Sequence, residues 1–472
     1  MPQPNILFLM TDQMQGRVLD DGHPCITPNF DRLAARGVRI RNAYTPNAVC
    51  SPARASLMTG LLPHSHGVLT VTHCVHDDQC NLRTQHPHFA QRLSAVGYRT
   101  GYFGKWHVER SNNLEQFGWQ VSGARPRSPV LEAFDGRGTL VKHIEDPEGY
   151  GQSIFYAVND RDPQDRMCGQ TTTAASQFLS EALVGDTPWC CFVSVVEPHD
   201  PFVCGRAAFD LYDVDSISLP PNLADNLEGR PGLYRKAARV FARLTEQEKR
   251  HAAACYFAMI TEVDQQFGRL MAQIEDSGQL ENTVIILTSD HGELLGAHGM
   301  YMKNVSGYEE IYNIPMVVAG PGIARGAVTE ARVGLHDLAP TMTELGEAEA
   351  IGHGESRSFV KLLKNPANAG GAFTRGYAEY YGTRYWLTQR IIWDGDWKLC
   401  WNGFDFDELY NIRKDPYELN NLIEDRDCAR IIRQLMKQAW DIIRRTDDHP
   451  LGQSEYPVLR LAPYGPGIID EK

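Results

Sequence analysis

The sequence predicts an α/β protein: a large, mostly parallel sheet sandwiched by helices, followed by a smaller C-terminal part with a short antiparallel sheet and a helix. Three observations carry this reading. Apolar runs such as Trp189 to Val196 and Thr283 to Thr288 lack polar alternation, as strands covered on both faces do. Helical patterns alternate with these runs, as the crossovers of a parallel sheet require. From about Gly371 the texture changes to short aromatic-rich strands and tight turns.

Taken in order, Ile6 to Met10 reads as the first strand. Thr27-Pro28 opens a helix that Gly37 closes, because proline suits a first helical turn and glycine a stop. Val38 to Tyr44 leads into a turn at Cys50, where Pro52 and Gly60 mark the start and end of another helix. Cys50 therefore sits beside backbone N–H groups that have no partner within the helix, a place that favours anions. Arg54, about one turn later, can reach back and fork onto two oxygens of a tetrahedral oxyanion there. Phe89 to Val96 is a helix, Tyr98 to Phe103 a strand and Thr171 to Leu183 a helix. The strand Trp189 to Val196, a long helix from Thr245 to Ile274, and strands at Thr283 to Thr288 and Pro315 to Ala319 follow. The Pro/Gly/Asn-rich stretch Asn365 to Gly371 suits a linker, which divides the chain into residues 1–368 and 369–472. Beyond it, Arg390 to Trp393 and Trp397 to Trp401 are joined by the turn Asp394-Gly395-Asp396, and a helix runs from Cys428 to Arg445.

The chain has 472 residues and a net charge of −13, which argues against nucleic acid or an anionic membrane surface as partner. A small anionic substrate remains compatible, since it needs only a local positive pocket. Eleven irregularly spaced cysteines, with Cys190 and Cys191 on opposite strand faces, point to reduced thiols. There is no basic leader, and no apolar run approaches the roughly 20 residues that span a bilayer. The expectation is a cytoplasmic protein. The Pro/Gly-rich tail Leu451 to Lys472 is suited to wrapping a neighbour in a homo-oligomer.

Polar residues fall just beyond the predicted strands. Asp12 and Gln13 follow the first, Lys105 and His107 the strand ending at Phe103, His199 the one ending at Val196, and Asp290-His291 the one ending at Thr288. Open α/β sheets bind ligands at the carboxyl ends of their strands. Singly, each aspartate could cap a helix and each histidine could be a surface residue; jointly they describe a site. Asp12, Gln13, Asp290 and His291 suit a hard divalent cation, with the histidine nitrogen less usual for calcium and leaving manganese open. Lys105, Arg54 and Lys303 would neutralise charge on nonbridging oxygens, and His199 and His107 remain for proton transfer. His73 and His76, and Arg384 in the aromatic stretch Glu379 to Trp386, are candidates to line the substrate pocket; a histidine-rich loop and a packed aromatic cluster are the plainer alternatives.

Cys50-Ser51-Pro52-Ala53-Arg54 resembles the sulfatase signature. So do, in family order, Pro4-Asn5-Ile6-Leu7 through Asp12-Gln13, Thr27-Pro28-Asn29, Gly104-Lys105-Trp106-His107, Glu197-Pro198-His199-Asp200-Pro201, Ser289-Asp290-His291-Gly292-Glu293 and Lys303 before Tyr308-Glu309-Glu310. The resemblance implies an alkaline-phosphatase-like fold and formylglycine made from Cys50 by a maturase. It implies a divalent cation, Ca2+ ahead of Mn2+ or Mg2+, held by Asp12, Gln13, residue 50, Asp290 and His291. It implies a sulfate pocket of Arg54, Lys105, His107, His199 and Lys303. In that chemistry the hydrated aldehyde attacks sulfur in line while His199 with Lys303 protonates the departing oxygen. His107 then takes a proton from the remaining hydroxyl, so that sulfate leaves by C–O cleavage. Gln13 and His291 depart from the commoner Asp and Asn. Both also occur in some true sulfatases and in the branch that cleaves phosphonate monoesters and phosphodiesters, which makes such a hydrolase the alternative to a sulfate monoesterase. A non-catalytic binding protein with Cys50 as a plain thiol is the third reading.

Overall fold

A computed structural model describes residues 3–76, 80–111, 113–123, 138–145, 152–303, 305–352, 354–368, 370–383, 386–448, 451 and 462–471. Its strands, in chain order, are β1 (Asn5–Thr11), β2 (Gly37–Ile40), β3 (Arg99–Gly104), β4 (Val121–Gly123), β5 (Gly138–Glu145), β6 (Gln152–Asn159), β7 (Trp189–Ser194) and β8 (Phe202–Gly205). There follow β9 (Thr283–Ser289), β10 (Met316–Ala319), β11 (Ala327–Thr329), β12 (Arg375–Tyr380), β13 (Gln389–Asp394), β14 (Trp397–Asn402) and β15 (Glu408–Asn411).

The central sheet has the order β11-β2-β10-β9-β1-β7-β3-β4. Its middle strands β9, β1, β7 and β3 run parallel, with Ile6 level with both Cys190 and Val284. Only β10 runs against its neighbours β9 and β2. Successive side chains take opposite faces. Ile6, Phe8, Met10, Cys190, Phe192, Val284 and Ile286 enter one core, and Leu7, Leu9, Cys191, Val193, Ile285 and Leu287 enter the other. Both faces are covered, which is why these strands read as unbroken apolar runs. Cys190 and Cys191 do lie on opposite faces, and all eleven cysteines are free thiols.

The helices fall close to their expected places: Pro28–Arg36, Cys50–Thr59, Phe89–Ala95, Met167–Ala182, Glu246–Asp276 and Ala429–Thr446. Thr245 caps the long helix, its side chain accepting from Glu248 N while Glu248 answers the Thr245 N–H. Gly60 ends the Cys50 helix in the left-handed conformation, φ 73°.

β12 to β15 form an antiparallel meander. Ile432, Leu435, Met436, Ala439, Trp440 and Ile443 of the last helix pack on Ile392, Leu399, Trp401 and Leu409 of that sheet. Its other side shares a core with the larger part, where Tyr44, Leu294, Tyr308 and Ile311 meet Ala378, Tyr380, Ile391 and Trp393. The three-stranded sheet β5-β6-β8 was not foreseen; the pairing of β5 with β6 shifts register around Lys142, which breaks the alternation that marks a strand in sequence. Half of the tail expected to reach a neighbour lies outside the described residues. Its described end packs on the chain's own last helix, with Trp440 Nε1 donating to the Tyr464 carbonyl at 2.8 Å. Among the described residues no helix is long and apolar enough to cross a membrane.

Gly104 closes β3 with φ 99°, and a Cβ built on it would lie 2.0 Å from the Ser194 carbonyl oxygen. That close approach lets Lys105 N donate to the same oxygen at 2.8 Å and turns the lysine onto the rim. Gly104→Ala should cost about 2–3 kcal/mol, combining left-handed strain with a backbone clash. Gly97→Ala is the control, since Gly97 has φ 97° but nothing within 4 Å of the place a methyl group would take. Equal shifts of the urea midpoint for the two variants would show that the close approach adds nothing.

Candidate active site

Because β9, β1, β7 and β3 are adjacent and parallel, their carboxyl ends share one rim. Asp12 and Gln13 leave β1, Lys105 and His107 leave β3, His199 follows β7, and Asp290 and His291 leave β9. The chain turns sharply as it leaves: Gln13 and His107 have φ of 72° and 53°, a conformation costly for residues with a Cβ.

Asp12 and Asp290 are fully buried, and Arg54 lies between them. Its Nε donates to Asp290 Oδ2 at 2.8 Å and its Nη2 to Asp12 Oδ2 at 3.1 Å, while Nη1 donates to the Lys105 carbonyl and to Ser194 Oγ. The fork expected to grip an oxyanion is thus closed on two carboxylates of the protein itself. Lys105 Nζ also contacts Asp12 Oδ2. Burial and Cys50 oppose ionisation of Asp12, but Lys105, His199 and Arg54 outweigh them and hold its carboxyl well below the ordinary value. Asp290 is pushed up, by burial first and by Asp12 second.

Cys50 is the first residue of its helix and only 1% exposed. Its Sγ lies 3.2 Å from His291 Nε2 and 3.7 Å from Asp12 Oδ1. Burial would raise the thiol, yet Lys105, Lys303 and His291 hold it well below its usual value. His291 Nδ1 donates to the Gly292 carbonyl at 2.9 Å, which leaves Nε2 facing Cys50; burial disfavours the charged ring, but Asp290 and Cys50 outweigh it and raise its pKa. One donor atom each from Asp12, Cys50, Asp290 and His291 falls within 4.8 Å of all the others. Two buried carboxylates, an imidazole whose Nε2 faces the cluster and residue 50 form a donor set that fits a divalent cation, whose binding would displace any proton on Nε2.

Gln13 reaches the rim, but its amide turns toward Lys303, Asp200 and Glu293. Lys303 Nζ lies 2.5 Å from His199 Nε2, and His199 Nδ1 lies 2.6 Å from the Asp200 carbonyl. Burial and Lys303 disfavour the charged form of His199, and Asp200 and Asp12 more than offset them, so its pKa is raised. Lys303 is also raised, with Cys50 and Asp200 overcoming burial. His107 goes the other way, down to about 4, through burial and Lys105. His73 joins the rim: its Nδ1 lies 3.0 Å from His107 Nε2 and the rings stack. His76 is exposed on the same loop, and Arg384 lies outside the described residues. Asp200 and Glu293 were not assigned roles from sequence. The signal was present, since each is an acid inside a block that supplies other rim residues.

The sulfatase family model matches residues 4–348, and the model for the C-terminal part of N-sulphoglucosamine sulphohydrolase matches residues 296–445. An uncharacterised sulfatase, YidJ of Escherichia coli K12, is 32% identical over 437 residues, covering 90% of this chain and 84% of its own. The choline-sulfatase of Rhizobium meliloti is 27% identical, covering 93% and 87%. Among solved structures, the phosphonate monoester hydrolase of Silicibacter pomeroyi superposes with a TM-score of 0.78 at 22% identity, covering 95% and 97%. A protein solved with its substrate D-glucosamine-2-N,6-O-disulfate gives 0.76 at 21%, covering 96% and 100%.

Asp290→Asn keeps the shape of the site and removes a charge that serves both Arg54 and the donor set. Calorimetric titration of metal-free protein with Ca2+ and Mn2+ should show affinity reduced by on the order of 100-fold or more. Unchanged affinity would assign these carboxylates to Arg54 alone.

Proposed function

Since the chain belongs to the sulfatase family, hydrolases of sulfuric esters, we propose that it cleaves the sulfate monoester of a sugar or other small alcohol, using formylglycine made from Cys50 and a divalent cation, Ca2+ first among the candidates. The observation that carries the proposal is the convergence of Asp12, Cys50, Asp290 and His291 at the foot of a rim bearing Lys105 and Lys303. When present, the hydrated aldehyde supplies the nucleophilic oxygen and the cation polarises the sulfate oxygens. Gln13 would join the cation's ligands through its amide oxygen.

The remaining roles belong to side chains on the rim. Arg54 orients Asp12 and Asp290 and opposes the burial that disfavours their ionised forms. Lys105 and Lys303 offset negative charge on the sulfate oxygens. His199, anchored at Nδ1 by the Asp200 carbonyl, offers Nε2 beside Lys303 for protonating the leaving oxygen. His107, neutral at ordinary pH, is suited to accept a proton, and its contact with His73 holds the ring. His73, His76 and Arg384 are proposed to meet the group that carries the sulfate. With Cys50 only 1% exposed, the maturase would act before folding is complete. Eleven unpaired thiols support a reducing, cytoplasmic setting. Residues 1–368 would form the catalytic part and 369–472 a smaller subdomain.

Gln13 and His291, together with the structural likeness to a phosphonate monoester hydrolase, favour one second reading, hydrolysis of phosphonate monoesters or phosphodiesters by the same site. Assays on 4-nitrophenyl sulfate and a phenylphosphonate monoester distinguish the two, the higher kcat/KM being expected on the sulfate. Mass spectrometry of the peptide holding residue 50 should find the aldehyde in active protein, and Cys50→Ala should fold yet lose nearly all turnover. Full activity in that variant would end both readings.

An alkoxide leaving from a sugar or alkyl sulfate needs a proton in the transition state, whereas nitrophenolate departs nearly unaided. His199→Ala should therefore lower turnover of alkyl or sugar sulfates by roughly 10²–10⁴, and of 4-nitrophenyl sulfate much less. Equal losses would make His199 a sulfate-binding residue and pass the acid role to Lys303 or His107.

A further inference from the structure

Gln13 is fully buried between two carboxylates and an ammonium group. Its Nε2 donates to Asp200 Oδ1 at 2.9 Å and to Glu293 Oε2 at 2.5 Å, and its Oε1 accepts from Lys303 Nζ at 3.2 Å. An amide has donors at one end and acceptors at the other, so these neighbours fix which end is which. A carboxylate at position 13 would instead meet two others at hydrogen-bond distance, with Lys303 and, 3.4 Å from Asp200, His199 to offset them.

The second oxygen of Glu293 has a separate task. Oε1 accepts from Leu295 N at 2.9 Å and Met302 N at 2.5 Å, the two ends of a loop whose next residue is Lys303. That loop closes on itself through Gly296 N to the Met300 carbonyl at 2.7 Å. Leu295, His298 and Met302 in it have φ between 47° and 65°, a conformation that non-glycine residues keep only when their surroundings impose it. One buried carboxylate thus grips Gln13 with one oxygen and the base of the Lys303 loop with the other.

We infer that Glu293 is a positioning residue: it sets the Gln13 amide with its oxygen toward Lys303, fixes the stem from which Lys303 reaches the rim, and is the reason an amide stands at position 13. The inference rests on the sulfatase reading, because it concerns a side chain offered to the cation and to the sulfate-facing lysine.

Exchanging the two side chains tests it. In Glu293→Gln, residue 293 must give its oxygen to Leu295 and Met302, so its NH2 faces the NH2 of Gln13, and one of them loses its acceptor. In Gln13→Glu, two carboxylates meet. Each single variant should weaken Ca2+ binding to metal-free protein by on the order of 10- to 100-fold in calorimetry, and should lower kcat on 4-nitrophenyl sulfate. The double variant Gln13→Glu/Glu293→Gln restores one donor facing one acceptor. It should recover affinity to within about tenfold of the starting protein, the remainder reflecting Asp200, which still faces the new carboxylate. Additive losses in the double variant, or unchanged affinity and kcat in Glu293→Gln, would overturn the inference. Should Glu293→Gln not fold, Gln13→Glu carries the test: adding Asp200→Asn must return part of the lost affinity, and no gain overturns the inference. Unaltered protein that binds no divalent cation and cleaves neither ester class would overturn the sulfatase reading, and this inference with it. An active starting protein with indifferent variants would overturn this inference alone.

Discussion

Two carboxylates buried within 4.8 Å of each other impose the main constraint on this molecule. At that spacing, and with an effective dielectric constant near 20, two negative charges repel by about 3.5 kcal/mol before any desolvation cost. Asp12 and Asp290 are tolerated because Arg54 donates to both, and because Lys105 touches Asp12. Arg54 is placed by the helix that Cys50 opens and Gly60 ends, and Lys105 by the glycine that lets β3 press against β7. The charge balance of the rim therefore depends on backbone features on three different elements. It also leaves Cys50 in a positive surround, where an anionic oxygen or sulfur is stabilised.

Much of this was legible because the sheet is parallel and buried. Unbroken apolar runs located β1, β7 and β9, and the polar residues just past them fell on one rim by topology alone. What each residue does there was less legible. Arg54 reads equally well as an oxyanion fork or as a carboxylate clamp, and only the arrival of Asp12 and Asp290, 42 and 236 residues away in sequence, decides which. Glu293 and Asp200 were hidden for a related reason: their partner Gln13 lies 280 and 187 residues away, and nothing local marks an acid as facing an amide. The sheet β5-β6-β8 escaped because a register shift at Lys142 removes the two-residue period.

The smaller sheet is more than an appendage to that rim. His64, just beyond the Cys50 helix, lies 2.5 Å from Glu379 of β12, and Tyr381 links Glu379 to Arg390 of β13, which pairs with Asp448 after the last helix. Burial would lower His64, but Glu379 raises it to about 9, so the pair is ionised at neutral pH. Removing one member of such a network leaves a buried charge without its partner, which typically costs about 3–5 kcal/mol. The Cys50 helix is thereby anchored at its start by Asp12 and Asp290 and near its end by the small sheet. The rim that this helix opens onto is thereby braced from two sides.

The same charge pattern bears on which ester the site prefers. A sulfate monoester and a phosphonate monoester both carry one negative charge, so net attraction does not separate them. Their surfaces differ, because sulfate presents three terminal oxygens and the phosphonate two oxygens and a carbon. A carbon substituent gains nothing from a polar contact, and placing it against a charged group costs that group its solvation. Lys105, Lys303, His107 and His199 all stand on the rim, and among the described residues His107 Nδ1 is buried with no hydrogen-bond partner. A ligand with an oxygen in every direction suits these groups, in keeping with the sulfatase family to which the chain belongs. Beyond them His73 stacks on His107 at the edge of the rim, which holds the His107 ring against rotation.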